Sequence, residues 1–239
     1  MTTPELLKKF FGASSSGLVI KDKLVTGYAS PGGREVCVLG TTEGTYINNA
    51  AALTLSGHVL DCVENHAGVP LVMLVDSAGQ EPNRTAEMLG LASYFGHLLT
   101  CLEVARLQGH KLLTVATGKA IGGAFICYGM FADKIYALDS ASVGLMPIEA
   151  MAAVTKIPAA TLEELSRSLP ALEFGAEPFA LLGGVEAVWK SEEDLAALLS
   201  AAIASATSQD DRARLGKERG GRTLAFDVQA RMLAESARL

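Results

Sequence analysis

The run from Leu112 to Phe125 reads LLTVATGKAIGGAF: an aliphatic stretch, then Gly118-Lys119-Ala120-Ile121, then two adjacent glycines before helix-forming residues. Glycine lets a ligand atom approach the backbone with no Cβ in the way. The first amides of a helix have no internal partner and lie at the positive end of its dipole. Gly122 and Gly123 are therefore candidate donors to a carboxylate or an enolate oxygen, an oxyanion hole made of backbone. On this pair alone a second reading stands equally: two glycines that let the helix pack closely against its neighbours.

A second candidate lies in VDSAGQEP, where an aliphatic run meets Ser77-Ala78-Gly79-Gln80. In open α/β sheets, ligands sit beyond the carboxyl ends of the strands. Ser77, Ala78, Gly79 and Gln80, with Ile121 from the first run, are thus candidate substrate contacts. The alternative is an ordinary turn in which Asp76 or Ser77 holds a local backbone group. Ser77 has little support as a nucleophile, because no GxSxG surrounds it and no histidine is placed by sequence to activate it. His58, His66, His97 and His110 fall in helical segments or at their ends, and read as packing or surface residues. The four cysteines, Cys37, Cys62, Cys101 and Cys127, form no CxxC pair, and neither HExxH nor a paired-carboxylate cluster occurs. They read as small buried hydrophobes, and no metal is expected.

The elements that must hold these turns follow from hydrophobic pattern. MTTPELLKKFFG reads as a helix capped by Thr3 and closed by Gly12, without a secretory apolar core. Short β-like runs follow at Leu18–Ile20, Leu24–Tyr28 and Glu35–Leu39. Residues 45–65 are helical in character, with Leu53, Leu60 and Val63 able to share a face. VPLVMLVD and LLTVAT read as fully buried strands of a parallel sheet. A long helix is predicted across Arg84–Gln108, another over Ala124–Phe131, and a strand over Lys134–Leu138. Residues 161–206 look helical apart from a turn at Leu182-Gly183-Gly184, and Gln209–Arg222 is dense in charge. Strand and helix alternate, which predicts an α/β fold built from βαβ units. The expected organisation is a leader over 1–17, a single domain over 18–206 and a charged tail over 207–239.

The chain has 239 residues, enough for a substantial core, and only 6% aromatics. Its net charge of −6 gives no electrostatic reason to bind nucleic acid or an anionic membrane. Mean hydropathy is high at +0.29. Even so, the longest apolar run, Val69–Val75, is far too short to span a bilayer. The cytoplasm is the expected compartment.

In FADKIYALDSASVGLMPIEA, the spacing of Ala132-Asp133, Ala137, Ala141 and Gly144-Leu145-Met146-Pro147 resembles the crotonase signature. Leu182-Gly183-Gly184-Val185-Glu186-Ala187-Val188 resembles a segment near the end of such domains. VDSAGQEP, a long helix and KAIGGA resemble more narrowly the C-terminal half of acyl-CoA carboxyltransferases. The likeness runs from about Glu35 to Val188 and is nearest to the gamma subunits of biotin-independent malonate decarboxylases. It implies a crotonase (ClpP/crotonase-like) fold of stacked ββα units.

The resemblance also implies a reaction. A malonyl thioester, carried on an acyl carrier protein by a prosthetic group derived from dephospho-CoA, would lose CO2 to leave an acetyl thioester. This chain would bind no cofactor itself. It would close the site opposite a homologous beta subunit that holds the thioester arm, with an alpha (acyl transferase) subunit in the same complex. Departures bear on chemistry. Cys127-Tyr128 and Ser142-Val143 stand where hydratases need carboxylates, which disfavours hydration. Ala78 replaces a proline of the carboxyltransferase turn, and Glu149 follows Pro147 either as in many crotonases or as a plain surface carboxylate. Two further readings stay open: the C-terminal half of a biotin-dependent carboxyltransferase, and a non-catalytic subunit that completes its partner's fold.

Overall fold

The computed structural model describes residues 1–207 and 209–237. The strands are β1 (Leu18–Lys21), β2 (Leu24–Ala29), β3 (Val36–Thr41), β4 (Thr45–Ile47), β5 (Leu71–Gln80), β6 (Leu112–Ile121), β7 (Lys134–Leu138), β8 (Ser142–Gly144) and β9 (Ala187–Trp189). The helices are α1 (Thr3–Phe11), α2 (Asn49–Asn65), α3 (Arg84–Met88), α4 (Leu91–Leu107), α5 (Gly122–Ala124), α6 (Ile148–Thr155), α7 (Ala159–Ser166), α8 (Ala176–Leu181), α9 (Leu195–Ser205), α10 (Arg212–Glu218) and α11 (Thr223–Ser236).

One nine-stranded sheet runs β1-β2-β3-β5-β6-β7-β9, with β4 paired to β5 and β8 to β6. The β1-β2-β3 edge is antiparallel and all other pairings are parallel. Alternate residues of the central strands face two cores. Cys37, Leu39, Leu71, Met73, Val75, Leu112 and Ala116 pack with α2 and α4 residues such as Leu55, Val59, Leu98 and Leu102. Val36, Val38, Val72, Leu74, Leu113 and Val115 pack with Leu7, Phe10 and Phe11 of α1 and Leu195 and Leu199 of α9. Burial on both faces is why these strands read as continuous aliphatic runs.

Several elements differ from the sequence-based expectation. The N-cap of α1 is Thr2, which shares a capping box with Glu5. Residues 45–47 form β4, because the strand edge of β5 offers them partners that an isolated propensity cannot see. The Asn48 side chain then starts α2 by accepting a hydrogen bond from the Ala51 amide at 2.9 Å. Leu53 lies on the exposed side of α2, whose buried face is Ala52, Leu55, Ser56, Val59 and Cys62. The predicted helix over 84–108 is broken into α3 and α4 at Gly90, whose φ of +81° no helix interior allows. Residues 187–189 are strand β9 rather than helix, with Trp189 stacked on Tyr136 at 4.5 Å. The charged segment is partly anchored: Arg219, which caps the C-terminus of α10, donates to the carbonyls of Ala180, Val185 and Glu186 at 2.8 Å each.

The largest difference positions the site. Both central strands were expected to end near residues 76 and 117, yet each runs ten residues. Their register breaks where Val75 pairs with Ala116 and Ser77 next pairs with Ala120, so Thr117, Gly118 and Lys119 form a bulge in β6. Beyond it, β4, the end of β5, the end of β6 and β8 lie side by side as a short parallel extension. Bulges of this kind commonly re-aim strands beside functional sites.

Candidate active site

The β6 strand delivers Ile121 directly into Gly122, the first residue of a helical turn. Gly122 has φ +67°, a left-handed conformation that a Cβ would strain, so glycine is required there by backbone geometry. With Ile121 as N-cap, the amides of Gly122, Gly123 and Ala124 are the first of the helix and have no intrahelical acceptor. The helix continues as a π turn over Phe125–Gly129, in place of the expected α-helix to Phe131. The Met130 amide closes that wider turn on the Phe125 carbonyl at 2.8 Å. The Phe125 ring lies where a Cβ on Gly129 would be, 2.5 Å from its Cδ2. Such π turns interrupt helices chiefly at functional sites.

Most sequence-selected residues meet here. A Cβ on Gly79 would stand 3.4 Å from the Ile121 carbonyl oxygen, and one on Gly123 would stand 2.7 Å from Gln80 Oε1. Gln80 and Gly123 are both exposed, so the Gln80 amide group lies over a turn that is open to the surface. Gly122 and Ile121 are half-buried, as is Ala78. Ser77 is placed differently: it is buried, and its hydroxyl is occupied by Gly79, accepting from the amide at 3.2 Å and donating to the carbonyl at 3.3 Å. Its role is to shape the strand that carries Gly79 and Gln80.

Asp76 and Gly118 were not singled out as site residues from sequence. Asp76 stands at the register break, and its Oδ1 accepts from the Lys119 amide at 2.8 Å. Gly118 leaves room for it, since a Cβ there would lie 2.4 Å from the Asp76 carboxyl carbon. The Asp76 amide donates to Thr41 Oγ1 at 3.1 Å, and Thr41 Oγ1 is 3.0 Å from the Tyr128 hydroxyl. Thr41 and Tyr128 are wholly buried, and burial pushes the Tyr128 phenol above its ordinary range. An aspartate closing an aliphatic strand, with a glycine in the facing turn, was the available signal.

The histidines and the other groups weighed from sequence have their own surroundings. His58 Nε2 is 3.1 Å from the Gly27 amide and 3.3 Å from Cys37 Sγ, and burial lowers its pKa. His110 Nδ1 donates to the Val69 carbonyl at 2.7 Å, while its Nε2 is buried without a partner among the described residues. Both lie by the N-terminal ends of the parallel strands, away from the Gly122 turn. Asp133 of the Ala132-Asp133 motif is structural: it accepts from Arg106 Nε and from the Leu112 amide, each at 2.9 Å. Glu149 is exposed in the first turn of α6. Cys127 is half-buried, and burial pushes its thiol up, the reverse of what a nucleophilic thiolate needs. Among the described residues no cluster of three or more His, Cys, Asp or Glu is arranged to hold a metal ion.

Beside the turn, exposed Ile126 and Leu145 line one wall of an apolar cleft of about 1170 Å³, whose opposite wall is α11 with Leu224, Val228 and Met232. Backbone donors beside a broad apolar face suit oxyanion stabilisation. The family of malonate decarboxylase gamma subunits, MdcE, matches residues 43–236. The chain belongs to that family. It is also 32% identical over 177 residues to the malonyl-S-ACP:biotin-protein carboxyltransferase MADD of Malonomonas rubra, a match covering 68% of this chain and 61% of that protein.

Solved structures share the fold. A Pseudomonas malonate decarboxylase hetero-tetramer in complex with coenzyme A superposes with a TM-score of 0.80 at 21% identity, over 98% of both chains. The Pseudomonas MdcD-MdcE hetero-dimer gives 0.74 at 23% identity, over 90% of this chain and 91% of that one. Transcarboxylase 12S gives 0.70 at 22% identity, covering 87% of this chain and 42% of the other. The expected carboxyltransferase-type, crotonase-like α/β fold is therefore the observed one. Among the described residues no helix is long and apolar enough to cross a membrane.

Proposed function

We propose that this chain is the gamma half of a two-subunit site that decarboxylates a malonyl thioester on an acyl carrier protein, giving the acetyl thioester and CO2. Membership of the gamma-subunit family is the observation that carries this reading. The turn at Gly122 supplies its chemistry. Breaking the bond between the carboxylate carbon and the α-carbon sends the electron pair into the thioester, so negative charge grows on its carbonyl oxygen. Donors aimed at that oxygen lower the barrier because they bind the transition state better than the ground state. In this reading the amides of Gly122 and Gly123 are those donors. Protonation of the α-carbon then completes the acetyl group, with the proton coming from water or from the partner. No base is needed to begin.

The partner in this reading is a homologous beta subunit that binds the thioester arm, with the acyl carrier protein and an alpha subunit in the same cytoplasmic complex. Pairing is supported by the exposed apolar side chains around the cleft: Ile126 44%, Leu145 46%, Leu224 76% and Met232 67%. Large apolar faces of this kind mark protein interfaces. The acyl group's carrier in this reading, a thiol arm derived from dephospho-CoA, belongs to the acyl carrier protein.

A second reading has its own support in the likeness to the biotin-protein carboxyltransferase. Both reactions cleave the same bond and leave the same enolate; they differ in whether CO2 is released or passed to biotin. Purified complex should turn over a malonyl thioester unchanged by avidin, and the isolated chain should not. Full activity of the chain alone would refute the half-site reading, and inhibition by avidin would assign the carboxyltransferase.

A further inference from the structure

We infer that Asp76 is a positioning residue for the Gly122–Gly123 amides, holding the β6 bulge that aims them; this rests on the oxyanion reading above. The chain between the bulge and the glycines is short. Lys119, whose amide Asp76 accepts at 2.8 Å, is followed by Ala120 and Ile121 and then by Gly122. Ala120 and Ile121 pair with Val143 and Gly144 of β8, so any shift of Lys119 is passed along a paired strand to the turn.

Asp76 is itself fixed from the other side. Its amide donates to Thr41 Oγ1, and that oxygen meets the hydroxyl of Tyr128, which lies on the helix the glycines begin. The ends of β3 and β5 and the helix after Gly122 are thereby tied through the Thr41 hydroxyl. Gly118 shows that the carboxylate is built in: a Cβ there would stand 2.4 Å from both its carbon and Oδ1. The strut works through hydrogen-bond geometry, so its charge is dispensable.

The test uses the assembled complex and compares kcat with KM for a malonyl thioester. Asp76→Ala should lower kcat by about tenfold or more while KM stays within about threefold, because misaimed donors cost transition-state more than ground-state binding. Asp76→Asn keeps an acceptor for the Lys119 amide and should hold kcat within about threefold of wild type. Gly118→Ala, which displaces the carboxylate, should mimic Asp76→Ala, and the double variant should be no worse than either, since the two act on one strut. A merely stabilising role would lower the melting temperature and complex yield and leave kcat of the assembled fraction unchanged. Gly123→Val is run alongside. If it abolishes turnover while Asp76→Ala keeps kcat within about twofold, the positioning role is wrong and the oxyanion reading stands. If Gly123→Val itself keeps turnover, both fall. Should Asp76→Ala fail to assemble, Gly118→Ala decides by the same thresholds.

Discussion

At Gly123 the two meanings of a glycine before a helix separate. The nearest atoms a Cβ there would meet belong to the Gln80 amide group, with Oε1 at 2.7 Å, the far end of an exposed and flexible side chain. A valine can therefore be accommodated by moving Gln80, at little cost to packing, but it covers the amides. Gly123→Val should lower kcat by ~10²–10³, the effect of removing an oxyanion donor, with melting temperature and subunit assembly near wild type. Single-turnover kinetics beside thermal melting decide it: a collapse in stability, or kcat within about tenfold, defeats the oxyanion role. Cys127 gives the opposite expectation, since burial pushes its thiol up. Cys127→Ala and chelator treatment should each leave turnover within about threefold of untreated wild type, and a loss of orders of magnitude in either would refute a site without thiol or metal.

At the scale of elements, the β2–β3 edge is fastened to α2 by His58. Its ring is wedged beside Cys37 and the Gly27 amide and against the edge of Tyr28 at 5.4 Å. Burial lowers its pKa, so the folded protein holds the neutral ring and the unfolded chain binds the proton more readily. Its contribution is thus complete above the unfolded value of about 6.5 and is lost as pH falls below it toward the lower folded value. Melting temperature should fall between about pH 7 and 5 in wild type, and more shallowly in His58→Gln, whose amide oxygen can still accept from Gly27. Parallel curves would show that His58 does not titrate in that window. Tyr28 bonded to Asp61 lowers that carboxyl's pKa, so its own contribution fails at far more acid pH and does not overlap.

For the whole molecule, the question is what covers the apolar wall formed by α11 and the helix after Gly122. Leu224, Met232 and Leu233 are 76%, 67% and 63% exposed on α11, too much apolar surface on one helix for a face that stays in water. If that wall meets the beta subunit, Met232→Glu should weaken pairing by at least about tenfold while the isolated chain melts like wild type, because the substituted residue is solvated in the free chain. Sedimentation or calorimetric titration with the beta subunit measures it; unchanged affinity would place the interface elsewhere.

What was legible from sequence alone was whatever depends on neighbours along the chain. Buried aliphatic runs located β5 and β6, and Lys134–Leu138 matched β7, because burial on both sheet faces leaves an uninterrupted apolar signature. The glycine pair marked the turn for the same reason: a left-handed φ at Gly122 admits almost nothing else. Tertiary structure decided the rest. Propensity cannot show that Thr45–Ile47 and Ser142–Gly144 become strands, since each needs the extended end of β5 or β6 as its partner. Nor could it show that Ser77 turns inward to Gly79, or that Asp76 reaches Lys119 across a register break. Those contacts join residues up to 43 positions apart, and their geometry exists only once the sheet has brought the strand ends together.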